Sequence, residues 1–333
     1  MEGKLLLGPT SNLFESKGVL NPAAVRVGEE VYLYYRAVAD NLVSSIGFCR
    51  LKNNEIIERW NKPILEPEFD YEIMGMEDPR ITLLDGVYYM IYTAYDGLDA
   101  RVAYAISTDL FHWEKKGLIS PSISYDEAED IFRTSGELDL RYKFYERTYR
   151  GINGDQIMLW EKDVVLFPKR FDGLMMFFHR ILPGIQVCYV DSFERLNEEY
   201  WRDYLKHLEE YVVMDPKSFF ESAYIGAGCP PLETERGWLF IYHAVVVDSV
   251  RGKIYRAGAA LLDKDDPTKV LARLPTPLFE PEADYERNGN VDNVVFPTGI
   301  IEENGVVYIY YGCADRNIGV KWVSITDLLD RFL

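Results

Sequence analysis

Hydrophobic and polar positions along this chain alternate in short runs, and only one stretch shows clear helical spacing. Val31-Tyr32-Leu33-Tyr34-Tyr35 and Val307-Tyr308-Ile309-Tyr310-Tyr311 are runs of β-branched and aromatic residues bounded by turn formers, which predicts strands. One order of elements recurs: a Pro, a short apolar strand, a Gly-containing turn, and a second strand ending in polar residues. It spans Pro22 to Arg36, Pro79 to Asp96, Pro168 to Arg180, Pro231 to His243 and Pro297 to Asp315. Third strands follow, as in Arg101-Val102-Ala103-Tyr104-Ala105-Ile106 and Val320-Lys321-Trp322-Val323. A direct copy, Pro63-Ile64-Leu65-Glu66-Pro67-Glu68-Phe69-Asp70-Tyr71-Glu72 against Pro277-Leu278-Phe279-Glu280-Pro281-Glu282-Ala283-Asp284-Tyr285-Glu286, marks the repetition as internal.

Small sheets of this kind, with Gly-rich turns and no long helices between them, predict an all-β fold: a five-bladed β-propeller forming one domain over residues 1–333. Two stretches break the pattern, at about 120–160 and about 193–212. Both are expected to be insertions over the blade faces, acting as a rim, a lid or a homo-oligomer contact. The second contains Glu198-Glu199-Tyr200-Trp201-Arg202-Asp203-Tyr204-Leu205, which suits a helix. Residues 327–333 are expected to form a short helical cap on the last blade.

Charge narrows the partners. A net charge of -18 disfavours nucleic acid and anionic membranes, because a polyanionic surface repels phosphate backbones, but it leaves room for a local anion site. The start of the chain lacks the apolar core of a signal peptide and no later run approaches membrane-spanning length, so a cytoplasmic protein is expected. Cys49, Cys188, Cys229 and Cys313 show no CxxC spacing and read as reduced, buried thiols. No metal-ligand spacing and no nucleotide-binding loop are found.

In a propeller, equivalent positions of every blade converge near the axis. The second strands end in Arg36, Tyr95 with Asp96, His179 with Arg180, His243, and Asp315, a mixture of acids, bases and aromatics suited to a polar substrate. Glu77-Asp78-Pro79-Arg80 enters the second repeat. Its acids could bind sugar hydroxyls and Arg80 could hold a carboxylate, although a strand-entry turn closed by its own salt bridge explains the same residues.

Gly75-Met76-Glu77-Asp78-Pro79-Arg80, Tyr92-Thr93-Ala94-Tyr95-Asp96, Val165-Leu166-Phe167-Pro168, Ile225-Gly226-Ala227-Gly228, Ile241-Tyr242-His243, Gly258-Ala259-Ala260-Leu261-Leu262-Asp263 and Asn293-Val294-Val295-Phe296-Pro297 together resemble glycoside hydrolase family 130. That family comprises β-mannoside phosphorylases and some β-mannosidases on a five-bladed propeller. The resemblance implies that Asp96 is the general acid of an inverting reaction, passing its proton through a mannosyl hydroxyl, with a pKa raised by burial or a neighbouring negative charge. It further implies that Asn21, Arg36 and Asp315 hold the sugar before the scissile bond, with Tyr95 and Phe296 as walls. Inorganic phosphate, the implied co-substrate, would be cradled at Lys162, Asp163, Arg180, Tyr224, His243 and Tyr255. Two positions depart from the family pattern: Tyr224 stands where it has Lys, and Asp163 where it has Asn.

Three functions stay open at this point. Phosphorolysis of mannooligosaccharides to mannose 1-phosphate needs one catalytic carboxylate, because phosphate is already a competent nucleophile. Inverting hydrolysis needs a second carboxylate to activate water, for which Asp163 or Glu221 could serve. A carbohydrate-binding propeller without turnover would have no use for the acid that the Asp96 motif keeps.

Overall fold

The computed structural model of the chain describes residues 1–134, 138–145 and 157–333. Strand accounts for 49% of residues and helix for 16%, so the fold is mostly β with a helical minority. The strands pair antiparallel in units of four or five. Gly18–Val27, Glu30–Val38, Ser44–Lys52 and Glu55–Arg59 form the first unit; Gly75–Leu84, Val87–Tyr95, Ala100–Ser107 and Glu114–Leu118 form the second. A single parallel bridge from Ser44 to Gly75 joins them. Lys162–Leu166, Met175–Arg180, Ile185–Val190 and Val212–Met214 form the third. In the fourth, Tyr224–Ala227 and Leu232–Thr234 both pair with Gly237–Asp248, followed by Gly252–Leu262 and Val270–Arg273. The fifth comprises Val295–Glu303, Val306–Cys313 and Asn317–Ser324, and takes its last strand, Glu2–Leu7, from the opposite end of the chain.

The leading strands are bulged at the positions that matter most. Register breaks between Leu20 and Ala23, between Glu77 and Arg80, and between Lys162 and Val165. Within these breaks Asn21, Asp78 and Asp163 have φ of 49°, 51° and 61°. Asn and Asp tolerate this left-handed conformation better than other side chains, and Pro22 and Pro79 follow with no N–H left unpaired. A bulge re-aims a side chain out of the strand's alternation, and all three side chains face one cavity.

Four of the units share a buried clamp. The hydroxyls of Tyr35, Tyr92, Tyr242 and Tyr311, on second strands, donate to Glu15, Glu72, Glu221 and Glu286 at 2.8, 2.6, 2.5 and 2.6 Å. Arg59, Lys115, Arg273 and Lys321 neutralise the same carboxylates. All four glutamates are fully buried, and such groups persist only when paired and hydrogen-bonded. Gly258 faces Tyr242 because a Cβ there would lie 2.2 Å from the tyrosine ring. The repeated Pro-to-Glu segment is thus a folding device, since Glu72 and Glu286 end its two copies. Glu221 belongs to the same device in the fourth unit, bound by Tyr242, Arg273 and the Lys217 and Ser218 amides. It is not free to activate water, which corrects that expectation.

The third unit lacks the clamp. Phe178 faces Val187 where the others place Tyr against Gly or Ala. Its buried polar pair is Glu161 with His179 at 2.7 Å, and His179 Nε2 lies 2.7 Å from the hydroxyl of Tyr204, which a helix contributes. That helix, Glu198–Lys206, starts at Asn197, whose side chain accepts from the Tyr200 amide. A second helix, Tyr125–Thr134, is opened by reciprocal bonds between Ser124 and Glu127, a capping box. Tyr125, Phe132, Trp201, Tyr204 and Leu205 join Val102, Phe177 and Cys188 in one buried cluster, each large side chain contributing on the order of 2–3 kcal/mol. The described part of the expected insertions therefore adds a hydrophobic layer to the strand units. The expected 120–160 insertion also includes 135–137 and 146–156, which lie outside the described residues. At the far end Ser324 caps the helix Ile325–Asp330, and Leu328 is fully buried. All four cysteines are free and buried. No helix among the described residues is long and apolar enough to cross a membrane.

Candidate active site

The bulged strands meet at a cavity of about 290 Å³, at the lower end of the size range of ligand pockets. One wall is acidic. Asn21 Nδ2 donates to Asp78 Oδ1 at 2.7 Å, and Arg36 Nη2 donates to Glu77 Oε1 at 2.7 Å while its Nη1 lies 3.8 Å from Asp78. Lys162 Nζ stands 3.6 Å from the other Glu77 oxygen. Burial pushes the Glu77 carboxyl up, but Arg36 and Lys162 together outweigh it and hold it below the usual carboxylate range. Asp315 goes the other way. Burial, reinforced by the charges of Asp78 and Glu77 against the opposing pull of Arg36, raises it to about 6. Three carboxylates thus face two cations on this wall, and one of the three is poised to carry a proton near neutrality.

The opposite wall is cationic and is built in layers. Asp163 lies at the back, 3% exposed, with Oδ1 3.1 Å from Arg80 Nη2 and Oδ2 2.8 Å from Arg180 Nη1. Burial alone would raise Asp163, yet Arg180, His243 and Arg80 overcome it and hold the carboxyl at about 2. His243, fully buried, accepts from Arg180 Nη1 through Nε2 at 3.2 Å. Burial is the main cause that lowers its imidazole to about 3, so it is neutral and its role is to orient the guanidinium. Its ring stacks on Phe296 at 4.4 Å. Gly226 leaves the space for it, because a Cβ there would meet the imidazole at 2.4 Å. Toward the cavity, the hydroxyls of Tyr224 and Tyr255 pair at 2.8 Å. Arg180 and Lys253 both lie against the Tyr224 ring, at 5.5 and 5.7 Å from its centre.

Of the residues singled out in the sequence, Asn21, Arg36, Glu77, Asp78, Lys162, Asp163, Arg180, Tyr224, Tyr255, Phe296 and Asp315 line this one cavity. Four do not. Arg80, 2% exposed, spends four of its five N–H donors on Asp78 O, Gly228 O, Ala227 O and Asp163, leaving no pair for bidentate hold of a substrate carboxylate. His243 stands behind Arg180. Tyr95 turns its hydroxyl to Gly97 O, and so does not wall the cavity. Asp96 sits on the rim instead of being buried in the cavity, its side chain 22% exposed. Oδ1 accepts from the Leu98 and Asp99 amides, and Oδ2 lies 3.7 Å from Arg101. Its turn adjoins the cavity through Leu98 O, which accepts from the indole of the lining residue Trp160 at 3.2 Å.

Sequence reading missed Trp160, Leu182, Lys253, Val291 and Val294 among the lining residues. Lys253 was findable, since it precedes Tyr255 by two positions on one strand and so shares its face. Trp160 precedes a strand and carries no comparable signal. Among the described residues no group of His, Cys, Asp and Glu could hold a metal ion.

A family model described as β-1,4-mannooligosaccharide phosphorylase matches residues 10–332. A β-1,2-mannobiose phosphorylase of Thermoanaerobacter sp. (strain X514) is 35% identical over 97% of this chain and 96% of its own length. A 1,2-β-oligomannan phosphorylase of the same organism is 32% identical with the same coverage of both chains. Among solved structures, the β-1,2-mannobiose phosphorylase of Listeria innocua in complex with β-1,2-mannobiose superposes with a TM-score of 0.70 at 22% identity, covering 95% of this chain and 92% of that one.

Proposed function

The chain belongs to glycoside hydrolase family 130, and from that premise we propose that it cleaves β-mannosides by phosphorolysis with inversion. Inorganic phosphate attacks the anomeric carbon from the face opposite the leaving sugar. A carbon–oxygen bond to phosphate forms, the bond to the leaving sugar breaks, and the departing oxygen takes up a proton. The products are α-mannose 1-phosphate and the shortened acceptor.

The observation that carries this reading is the state of Asp163. Hydrolysis by inversion requires a carboxylate that accepts a proton from water. Asp163 is the carboxylate of the cationic wall among the described lining residues, and two guanidinium groups hold it at about 2, where it is a poor base. Glu221, the other candidate, is locked in the fourth clamp. A wall of this composition suits a nucleophile that arrives already charged, positioned by charge-assisted hydrogen bonds. The acidic wall suits the mannosyl unit, whose hydroxyls can donate to Glu77, Asp78 and Asp315 and accept from Arg36 and Asn21.

Asp96 on the rim supplies the proton in the relay that the resemblance implies, since an acid working through a substrate hydroxyl need not touch the glycosidic oxygen. A second reading, favoured by its elevated pKa inside the cavity, gives the proton to Asp315. Aryl mannosides separate the two. A leaving group that needs no protonation restores turnover to the variant lacking the acid, whereas it does not rescue a variant that has lost sugar binding. The account expects rescue of Asp96→Asn and not of Asp315→Asn, and the reverse pattern transfers the role.

We read the strand units as five blades of a propeller closed by Glu2–Leu7 joining the last unit, with the cavity on its axis. The supporting observation is that lining residues come from strands of every unit. The function itself is tested by incubating the protein with β-1,2- and β-1,4-mannobiose, with and without phosphate. Mannose 1-phosphate formed only with phosphate supports it, and equal release of free mannose in both buffers refutes it.

A further inference from the structure

Lys253 opens the strand Gly252–Leu262 at the mouth of the cavity. In register, Val245 faces Tyr224 on one side and Tyr255 on the other, and Val247 faces Lys253. Lys253 and Tyr255 therefore project to the same face of their strand, two residues apart, with Tyr224 across from them. Lys253 Nζ lies 5.7 Å from the Tyr224 ring centre, against which Arg180 also lies. No ion pair or hydrogen bond engages Lys253 among the described residues. Arg180 is balanced by Asp163 at 2.8 Å, whereas Lys253 lines the same cavity with no carboxylate partner, so its charge is left for an anion that enters the cavity. The lysine's ammonium is pulled below the usual range first by burial and then by the charge of Arg180.

We propose that Lys253 is a phosphate-binding residue, which supplies from the third strand of the fourth unit the cation that Tyr224 has displaced from the first. Resting on phosphorolysis as the reaction, this assigns the nucleophile's site to Arg180, Lys253 and the Tyr224–Tyr255 hydroxyl pair, with His243 and Asp163 behind as positioning groups. It explains how a chain with Tyr at 224 keeps its second cation. A tetrahedral oxyanion of phosphate size is the ligand class, because Arg180, Lys253 and the hydroxyls of Tyr224 and Tyr255, all able to donate, line one cavity.

The test measures KM for inorganic phosphate at saturating mannobiose in the wild type, Lys253→Met and Lys253→Arg. Met keeps the length and removes the charge. The expected result is a rise of roughly 10- to 50-fold in phosphate KM for Lys253→Met, with mannobiose KM changed less than about twofold and Lys253→Arg recovering most of the loss. Because the lysine's pKa is lowered, phosphate KM in the wild type climbs as pH rises into the alkaline range, and Lys253→Arg flattens that climb. Thermal melting gives a second readout: phosphate alone raises the melting temperature of the wild type more than that of Lys253→Met. Unchanged phosphate KM in Lys253→Met, or equal rises in both KM values, overturns the assignment. A wild type that releases mannose equally well without phosphate overturns instead the phosphorolysis on which it rests.

Discussion

The two walls of the cavity are made by the same device and carry opposite charge. Asn21 and Asp78 on one wall and Asp163 on the other are all bulge residues in the left-handed region, so the backbone aims them alike. What differs is the company each keeps. Asp78, Glu77 and Asp315 face Arg36 and Lys162, three carboxylates against two cations. Asp163 faces Arg80 and Arg180, with Lys253 beyond, three cations against one carboxylate. In the proposed function one fold position serves a neutral polyol on one side and an anion on the other, and neighbouring units decide which.

Removing the charge that faces the anion breaks this contrast most severely. Arg180→Ala is expected to lower kcat/KM for phosphate about 10³-fold, or about 4 kcal/mol, with mannoside binding much less affected. Isothermal titration with substrate and steady-state kinetics in phosphate separate the two effects, and equal losses in both would merge the walls into one functional unit.

Asp163→Asn moves the cationic wall toward the family pattern and leaves Arg80 and Arg180 without their counter-charge. It is expected to destabilise the protein by about 3 kcal/mol at neutral pH while lowering phosphate KM. The cost has a defined pH window. A carboxyl held at about 2 contributes stability above its unfolded value near 3.8, and that contribution disappears as pH falls through about 2. Urea unfolding of both proteins at pH 7 and at pH 2 measures it, with the difference shrinking at the lower pH.

Asp315→Asn gives the smallest change, and in the opposite direction. A carboxyl raised to about 6 is destabilising once ionised, so wild-type stability from this group is full below about pH 4 and is lost as pH rises through about 6. The variant should therefore be more stable than wild type by about 2 kcal/mol at pH 7 and indistinguishable at pH 4, at the expense of mannoside binding. Stability that is equal at both pH values would show that Asp315 ionises freely.

Much of this was legible in the sequence, for physical reasons. Strand ends and the strand-entry turn are local signals, and they pointed to Arg36, Glu77, Asp78, Arg180 and Asp315; Asn21, Lys162, Asp163, Tyr224, Tyr255 and Phe296 were named through the resemblance to the family. Burial is not local. Arg80 and His243 read as substrate contacts because their neighbours in space, Asp163 and Arg180, lie far away in the chain. Glu221 read as a free acid because only the partner Tyr242 and Arg273 reveal the clamp. The third unit shows the same limit from the other side. Its missing Tyr–Gly pair is visible at Phe178 and Val187, but the helix that compensates with Tyr204 is recognised only through packing. Ser124 and Glu127 are a readable helix start that was passed over, since charge density around them hid the apolar face carrying Ala128 and Phe132.

The most direct measurement follows oxygen. With β-1,2-mannobiose, [¹⁸O₄]phosphate and ordinary water, the account predicts α-mannose 1-phosphate carrying all four labels, the bridging oxygen included, because phosphate attacks carbon. The opposing result is unlabelled free mannose as the sole sugar product beyond the acceptor, with its new oxygen drawn from water.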